Sequence, residues 1–169
     1  NMVKYYLEDI VHSHHKSFHF QIFDIDIPNR NSPHWHYHPE IELIYISNGK
    51  GKRGVGTSLS TYSDGDLILL GSNLQHMGFT DDFKDGRTEV VIQFLPDFLG
   101  NMFSKIPELT SISKLLELSK RGLSFPSHIK EKIGHALLGL QYESDFQGLL
   151  TLISSLNELS NIKPTILNA

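Results

Sequence analysis

Two histidines, a glutamate and a glycine at fixed spacing, His36-x-His38-x3-Glu42-x6-Gly49, constrain this chain more than any other feature. Side chains alternate across an extended strand, so His36 and His38 point the same way, and Glu42, an even step on, returns to their face. Pro39 is the residue that can bend the strand and turn Glu42 away. A second string, Gly65-x5-Gly71-x-Asn73-x2-His76, adds a fourth donor, His76, after a Gly-Asp turn and the apolar run Leu67-Ile68-Leu69-Leu70. His34, His36, His38, Glu40 and Glu42 all fall within nine positions. Burying that many ionisable groups without a function is costly. Three imidazoles and a carboxylate converging inside a small barrel form either a metal site or a polar ligand pocket.

Up to about Leu95 the chain reads as short strands separated by turns. Phe18 to Ile27 alternates as a half-buried strand, and Asn29-Arg30-Asn31-Ser32-Pro33 is a polar turn cluster. Ile41 to Ile46 is rich in β-branched and aromatic residues. Asn48-Gly49 and Lys50-Gly51 make a turn, and Arg53 to Leu59 is expected to continue as one twisted strand. Ser63-Asp64-Gly65-Asp66 turns into Leu67–Leu70, and Thr88 to Phe94 closes the set before Pro96. Many short strands broken by Gly and Asp turns predict a sandwich or barrel.

From Leu109 the apolar period changes from two to about 3.6. Leu109, Ile112, Leu115 and Leu116 form one stripe, which Lys120-Arg121-Gly122 ends with cations and a glycine. Pro126-Ser127 opens a second helix carrying Ile129, Ile133, Leu137 and Leu140. Ser144-Asp145-Phe146-Gln147 is a capping-box start for a third. That helix bears one stripe of Phe146, Leu149, Leu150, Ile153 and Leu156 and another of Leu152, Leu159 and Ile162. A helix apolar on two sides must be covered on two sides, by its own barrel and neighbouring helices or by a second subunit.

The two histidine strings resemble the two motifs of the cupin superfamily, β-barrels of jelly-roll type. The first is matched at every ligand position. In the second, Gly71, Asn73 and Thr80 stand where the family pattern has Pro, Gly and Asn. Three longer segments resemble the sensor domain of AraC-family transcription regulators: Pro33 to Ile46, Gly65 to His76, and Ser119 to Phe125 in the helical region. The resemblance spans about Phe18 to about Leu159. It implies a mainly β fold, a cupin-like effector-binding barrel over residues 1–95, then about three helices for dimerisation and linkage over residues 96–169. It also implies a homodimer in the cytoplasm, and a DNA-binding part with two helix-turn-helix units after the sensor. Nothing from Lys163 to Ala169 fits such units, so the native gene is expected to run well past Ala169. Asn1 ahead of Met2 reads as a residue left from an expression tag.

The net charge of −4 and pI of 6.2 give no basic footprint for nucleic acid, so this piece does not itself read as a DNA binder. Lys50, Lys52 and Arg53 read as a solvated hairpin turn. With no cysteine, disulfides, thiolate metal sites and thiol catalysis are excluded. No apolar run has membrane-spanning length, and no signal-peptide pattern opens the chain. His12, His14 and His15, without a partner carboxylate or glycine frame, read as a solvated N-terminal segment.

Two readings of the site stay open. In one, Trp35, His36, Tyr37, His38, Glu42 and His76 line a barrel mouth for a small organic effector such as a sugar, with aromatic faces for stacking and polar tips for hydroxyls. No cofactor is then required. In the other, His36, His38, Glu42 and His76 hold Zn²⁺, Ni²⁺, Fe²⁺ or Mn²⁺, with Glu40 or Tyr45 as a hydrogen-bond acceptor behind a histidine. No nucleophile elbow or phosphate loop is present, so an enzyme reading, a stand-alone metal-dependent dioxygenase or sugar isomerase, depends on that metal. A non-enzymatic sensor is the preferred expectation. A cupin kept only for protein assembly is a third possibility.

Overall fold

The computed structural model describes residues 2–12, 16–30, 34–78 and 86–169. His14, His15, Asn31 to Pro33 and Thr80 lie outside the described residues. The strands are β1 (Tyr6–Leu7), β2 (His19–Phe23), β3 (His36–Tyr37), β4 (Ile41–Ile46), β5 (Gly51–Val55), β6 (Ser58–Tyr62), β7 (Asp66–Leu70), β8 (His76–Met77), β9 (Glu89–Phe94), β10 (Leu123–Ser124) and β11 (Thr165–Ile166). The helices are α1 (Thr110–Leu118), α2 (Ser127–Gly139) and α3 (Asp145–Ser160).

Among the described residues the strands form two sheets, ordered β1-β3-β8-β5-β6 and β11-β10-β7-β4-β9-β2. Strand alternation explains how one sheet serves two cores. In β4, Ile41, Leu43 and Tyr45 face the helices, while Ile44 and Ile46 face the other sheet. β7 divides the same way into Leu67 and Leu69 against Ile68 and Leu70, and β9 into Val90, Ile92 and Phe94 against Val91. The inner core, completed by Val55 and Tyr62, lies between the sheets. The outer core takes in Ile112, Leu116, Ile133, Leu137, Leu152 and Leu156 from the helices. The protein is thus mainly β, a cupin-type two-sheet fold followed by three α-helices, as the sequence predicts.

Local chemistry corrects several element boundaries. β2 stops at Phe23 because the Asp24 carboxylate accepts from the Asp26 and Ile27 amides and closes a turn. Arg53 to Leu59 is not one strand: Gly56, at φ +58°, turns the chain between β5 and β6. Arg53 is not an exposed turn residue either. It is buried, pairs with Asp66 and donates from Nε to Ser60 Oγ at 2.9 Å. The helical segment also contributes to the sheet: β10 pairs with β7, and β11 pairs with β10. Tyr45 lies on the helix side, against Gly134 of α2, and so cannot stand behind a histidine.

Candidate functional site

The histidines meet where the two sheets approach. His36 on β3 and His76 on β8 are direct antiparallel partners, which brings their rings to 4.3 Å between centroids. His38 follows β3, with its ring 5.2 Å from that of His76. The bend at Pro39-Glu40 does interrupt the strand, yet Glu42, restarting on β4, still joins the group. Its Oε2 lies 3.0 Å from His76 Nε2, and its Oε1 lies 3.5 Å from His38 Nε2. Glu42 also pairs in register with Gln93 of β9, whose Nε2 donates to Glu42 Oε1 at 2.6 Å.

The main chain settles the tautomer of all three rings. Nδ1 of His36 faces the His34 carbonyl at 2.7 Å, Nδ1 of His76 faces the Leu74 carbonyl at 2.7 Å, and Nδ1 of His38 faces the Glu40 carbonyl at 3.0 Å. A carbonyl oxygen only accepts, so each Nδ1 carries a proton. In the neutral ring the lone pair is then left on Nε2. The Glu40 backbone thus takes the part behind a ring expected of its side chain. One nitrogen from each of the three buried rings lies within 4.8 Å of the others. A cation bonded at about 2.1 Å to each would hold them roughly 3 to 4 Å apart, so a short inward shift suffices. His38 Nε2 is buried, and the carboxylate oxygens that face it, Glu42 Oε1 at 3.5 Å and Glu8 Oε2 at 3.9 Å, lie beyond ordinary hydrogen-bond length. The residues present therefore fit a divalent cation.

The charges are unequal. Burial, and then the nearby charge of His76, lowers the His36 pKa from 6.5 to about 4. Burial would also lower His38, but the Glu42 carboxylate facing it and the charges of Glu8 and Glu40 outweigh that and raise it. Burial opposes ionisation of Glu42, yet His76 and His38 hold it well below the usual carboxylate range.

His36, Glu42 and His76 line a cavity of about 230 Å³, whose walls also include Glu8, Arg30, Glu89 and Gln93. Glu8 had no signal in the sequence. It sits just past β1, and its Oε2 lies 3.5 Å from His36 Nε2 and 3.9 Å from His38 Nε2. Gln93 and Glu89 were equally illegible as site residues, although their even spacing on β9 sends both to the inner face. Trp35 and Tyr37 flank His36 in the chain and so project to the opposite side of β3. Trp35 packs edge-on against Tyr5, with ring centroids 5.6 Å apart, and neither residue lines this cavity. His12 differs from its solvated reading, since its Nε2 lies 2.6 Å from Glu40 Oε1.

No family model and no curated protein matches the chain. Among solved structures it is similar to an apo lysine-to-alanine variant of ToxT from Vibrio cholerae strain SCE256, at 12% identity and TM-score 0.51, over 85% of this chain and 54% of that one. It is also similar to unsaturated fatty acid-bound wild-type ToxT of that strain, at 14% identity and TM-score 0.40, over 94% and 60%. A third similar structure is ToxT from Vibrio cholerae O395 bound to a naphthalenyl butenoic acid, at 14% identity and TM-score 0.44, over 83% and 54%. The chain spans between half and two thirds of the length of these structures. At such identities the likeness to the first establishes a shared fold.

Proposed function

We propose that this chain is the effector-sensing domain of an AraC-type transcription regulator, with the inter-sheet cavity as the effector site. A divalent cation on His36, His38, His76 and Glu42 forms the floor of that site. The observation that carries this is the triple histidine cluster, in which three main-chain carbonyls hold the rings by Nδ1 and one nitrogen of each ring lies within 4.8 Å of the others. The AraC-type assignment rests on the motif resemblance and on a fold shared with ToxT, an AraC-family regulator. Bound there, a cation supplies a Lewis-acidic centre for an oxygen-bearing effector.

The walls constrain the effector. Glu8, Glu42 and Glu89 face the cavity, against Arg30 at an exposed edge. With the cation and Arg30 balancing these three carboxylates, the cavity carries little net charge, and its polar walls suit a hydroxyl-rich ligand, such as a carbohydrate, whose hydroxyls donate to carboxylates. In this reading the domain is not an enzyme. It forms a homodimer, and it relays occupancy to a helix-turn-helix region because the effector binds two dimer or linker arrangements with different affinity.

Elemental analysis of tag-free protein purified without metal-affinity resin tests the floor of the site. About one divalent metal per chain, lost in His76→Ala, is the expected result. Wild-type protein that carries no metal and is not stabilised by Mn²⁺, Co²⁺, Ni²⁺ or Zn²⁺ would remove the cation from the proposal. A thermal-shift series with neutral sugars and fatty acids then tests the effector class. Stabilisation by fatty acids alone would overturn the carbohydrate assignment.

A further inference from the structure

We infer that Glu8 is a fifth ligand of the cation, delivered by the N-terminal strand. This rests on the proposed cation at the histidine cluster and adds a donor outside both histidine strings.

The two carboxylates flank the histidines in complementary fashion. Glu42 faces His76 at 3.0 Å and His38 at 3.5 Å. Glu8 faces His36 at 3.5 Å and His38 at 3.9 Å. Every imidazole thus has a carboxylate at its Nε2, and His38, between them, has both. The position of Glu8 is built by the backbone. β1 runs parallel to β3 with Tyr6 opposite His36 and Leu7 opposite Tyr37, and the Glu8 amide donates to the Tyr37 carbonyl at 2.9 Å. Tyr5 braces the strand from the other side by packing on Trp35. Glu8 and His36 also line a second cavity, with Tyr6 and His34.

Three nitrogens and two carboxylates exceed a tetrahedral shell and neutralise a 2+ charge. Five protein donors with one position left for an effector oxygen suit cations that take five or six ligands, of which Mn²⁺ is the hardest and the most dependent on oxygen donors. Loss of one carboxylate should therefore be felt most by Mn²⁺.

Isothermal titration of metal-free protein with Mn²⁺ tests this, comparing wild type with Glu8→Gln, Asp9→Asn and His76→Ala. Asp9 is exposed and one residue along, so Asp9→Asn removes the same charge without removing a facing carboxylate. The expected result is a loss of at least about tenfold in Glu8→Gln, as for removal of a partner in a metal site, with Asp9→Asn within about threefold of wild type. Circular dichroism in EDTA confirms that each variant folds. Equal weakening in Glu8→Gln and Asp9→Asn would mean a field effect, and overturns the inference. Unchanged affinity in Glu8→Gln with binding lost in His76→Ala overturns the inference alone and leaves the histidine site standing. No Mn²⁺ binding by wild type overturns both.

Discussion

His36 is a ring kept neutral by its surroundings. Its pKa falls from 6.5 to about 4 because burial, then the neighbouring His76, disfavours the cation. Between those values the unfolded chain binds a proton that the folded chain refuses, so stability rises with pH across that window and is lost as pH falls through it. For metal-free protein in EDTA the expected loss from pH 6.5 down to about 4 is up to roughly 3 kcal/mol. Urea titrations at stepped pH measure it, and His36→Asn should flatten that limb. The buried Arg53–Asp66 pair gives a second expectation. Burial raises the Asp66 pKa even with the guanidinium beside it, so the carboxylate depends on its partner. Arg53→Met should cost about 3–5 kcal/mol by leaving a buried charge unpaired. The double change Arg53→Met with Asp66→Leu should recover most of that in thermal melts.

Among the elements, α2 is where local preference and tertiary packing conflict. Gly134 lies in mid-helix, where alanine would be favoured by roughly 1 kcal/mol on intrinsic preference. The helix nevertheless needs glycine, because an added Cβ would come within 2.3 Å of the Tyr45 ring of β4. Gly134→Ala should therefore destabilise, by about 1–3 kcal/mol as for other overpacked sites; a rise in melting temperature would refute the close packing of α2 on β4. α3 begins as its capping signal implies, with Ser144 Oγ accepting from the Gln147 amide at 3.2 Å. Its two stripes sort by burial rather than by period. Leu152, Leu156 and Leu159 are buried, whereas the Phe146 ring is 70% exposed and Leu150 is exposed beside it. If the proposed homodimer uses this face, light scattering should give a dimer mass for the wild type and a monomer mass for Phe146→Asp.

In the whole molecule, the first 95 residues and the remainder share the outer core. Leu43, Leu69 and Ile92 of the sheet pack with Ile112, Ile133 and Leu152 of the helices, and β10 extends the same sheet beyond β7. A chain ending at residue 95 would expose that face, and such an apolar surface favours association. Expression of residues 1–95 alone should give aggregated or unfolded protein by sedimentation and circular dichroism. A soluble, cooperatively folding barrel would mean that the helices are not needed to cover it.

His36, His38, Glu42 and His76 were legible in the linear sequence because a period of two puts alternate side chains on one face, and burying such residues demands a reason. The helical stripes and the capping serine were legible for the same kind of reason, since they depend on residues three or four apart. Glu8, Gln93 and the burial of Arg53 were not, because each depends on strands from distant parts of the chain pairing in a particular register. Whether three rings bring one nitrogen each together was also undecided by residue type. It depended on which carbonyls the folded backbone placed behind them.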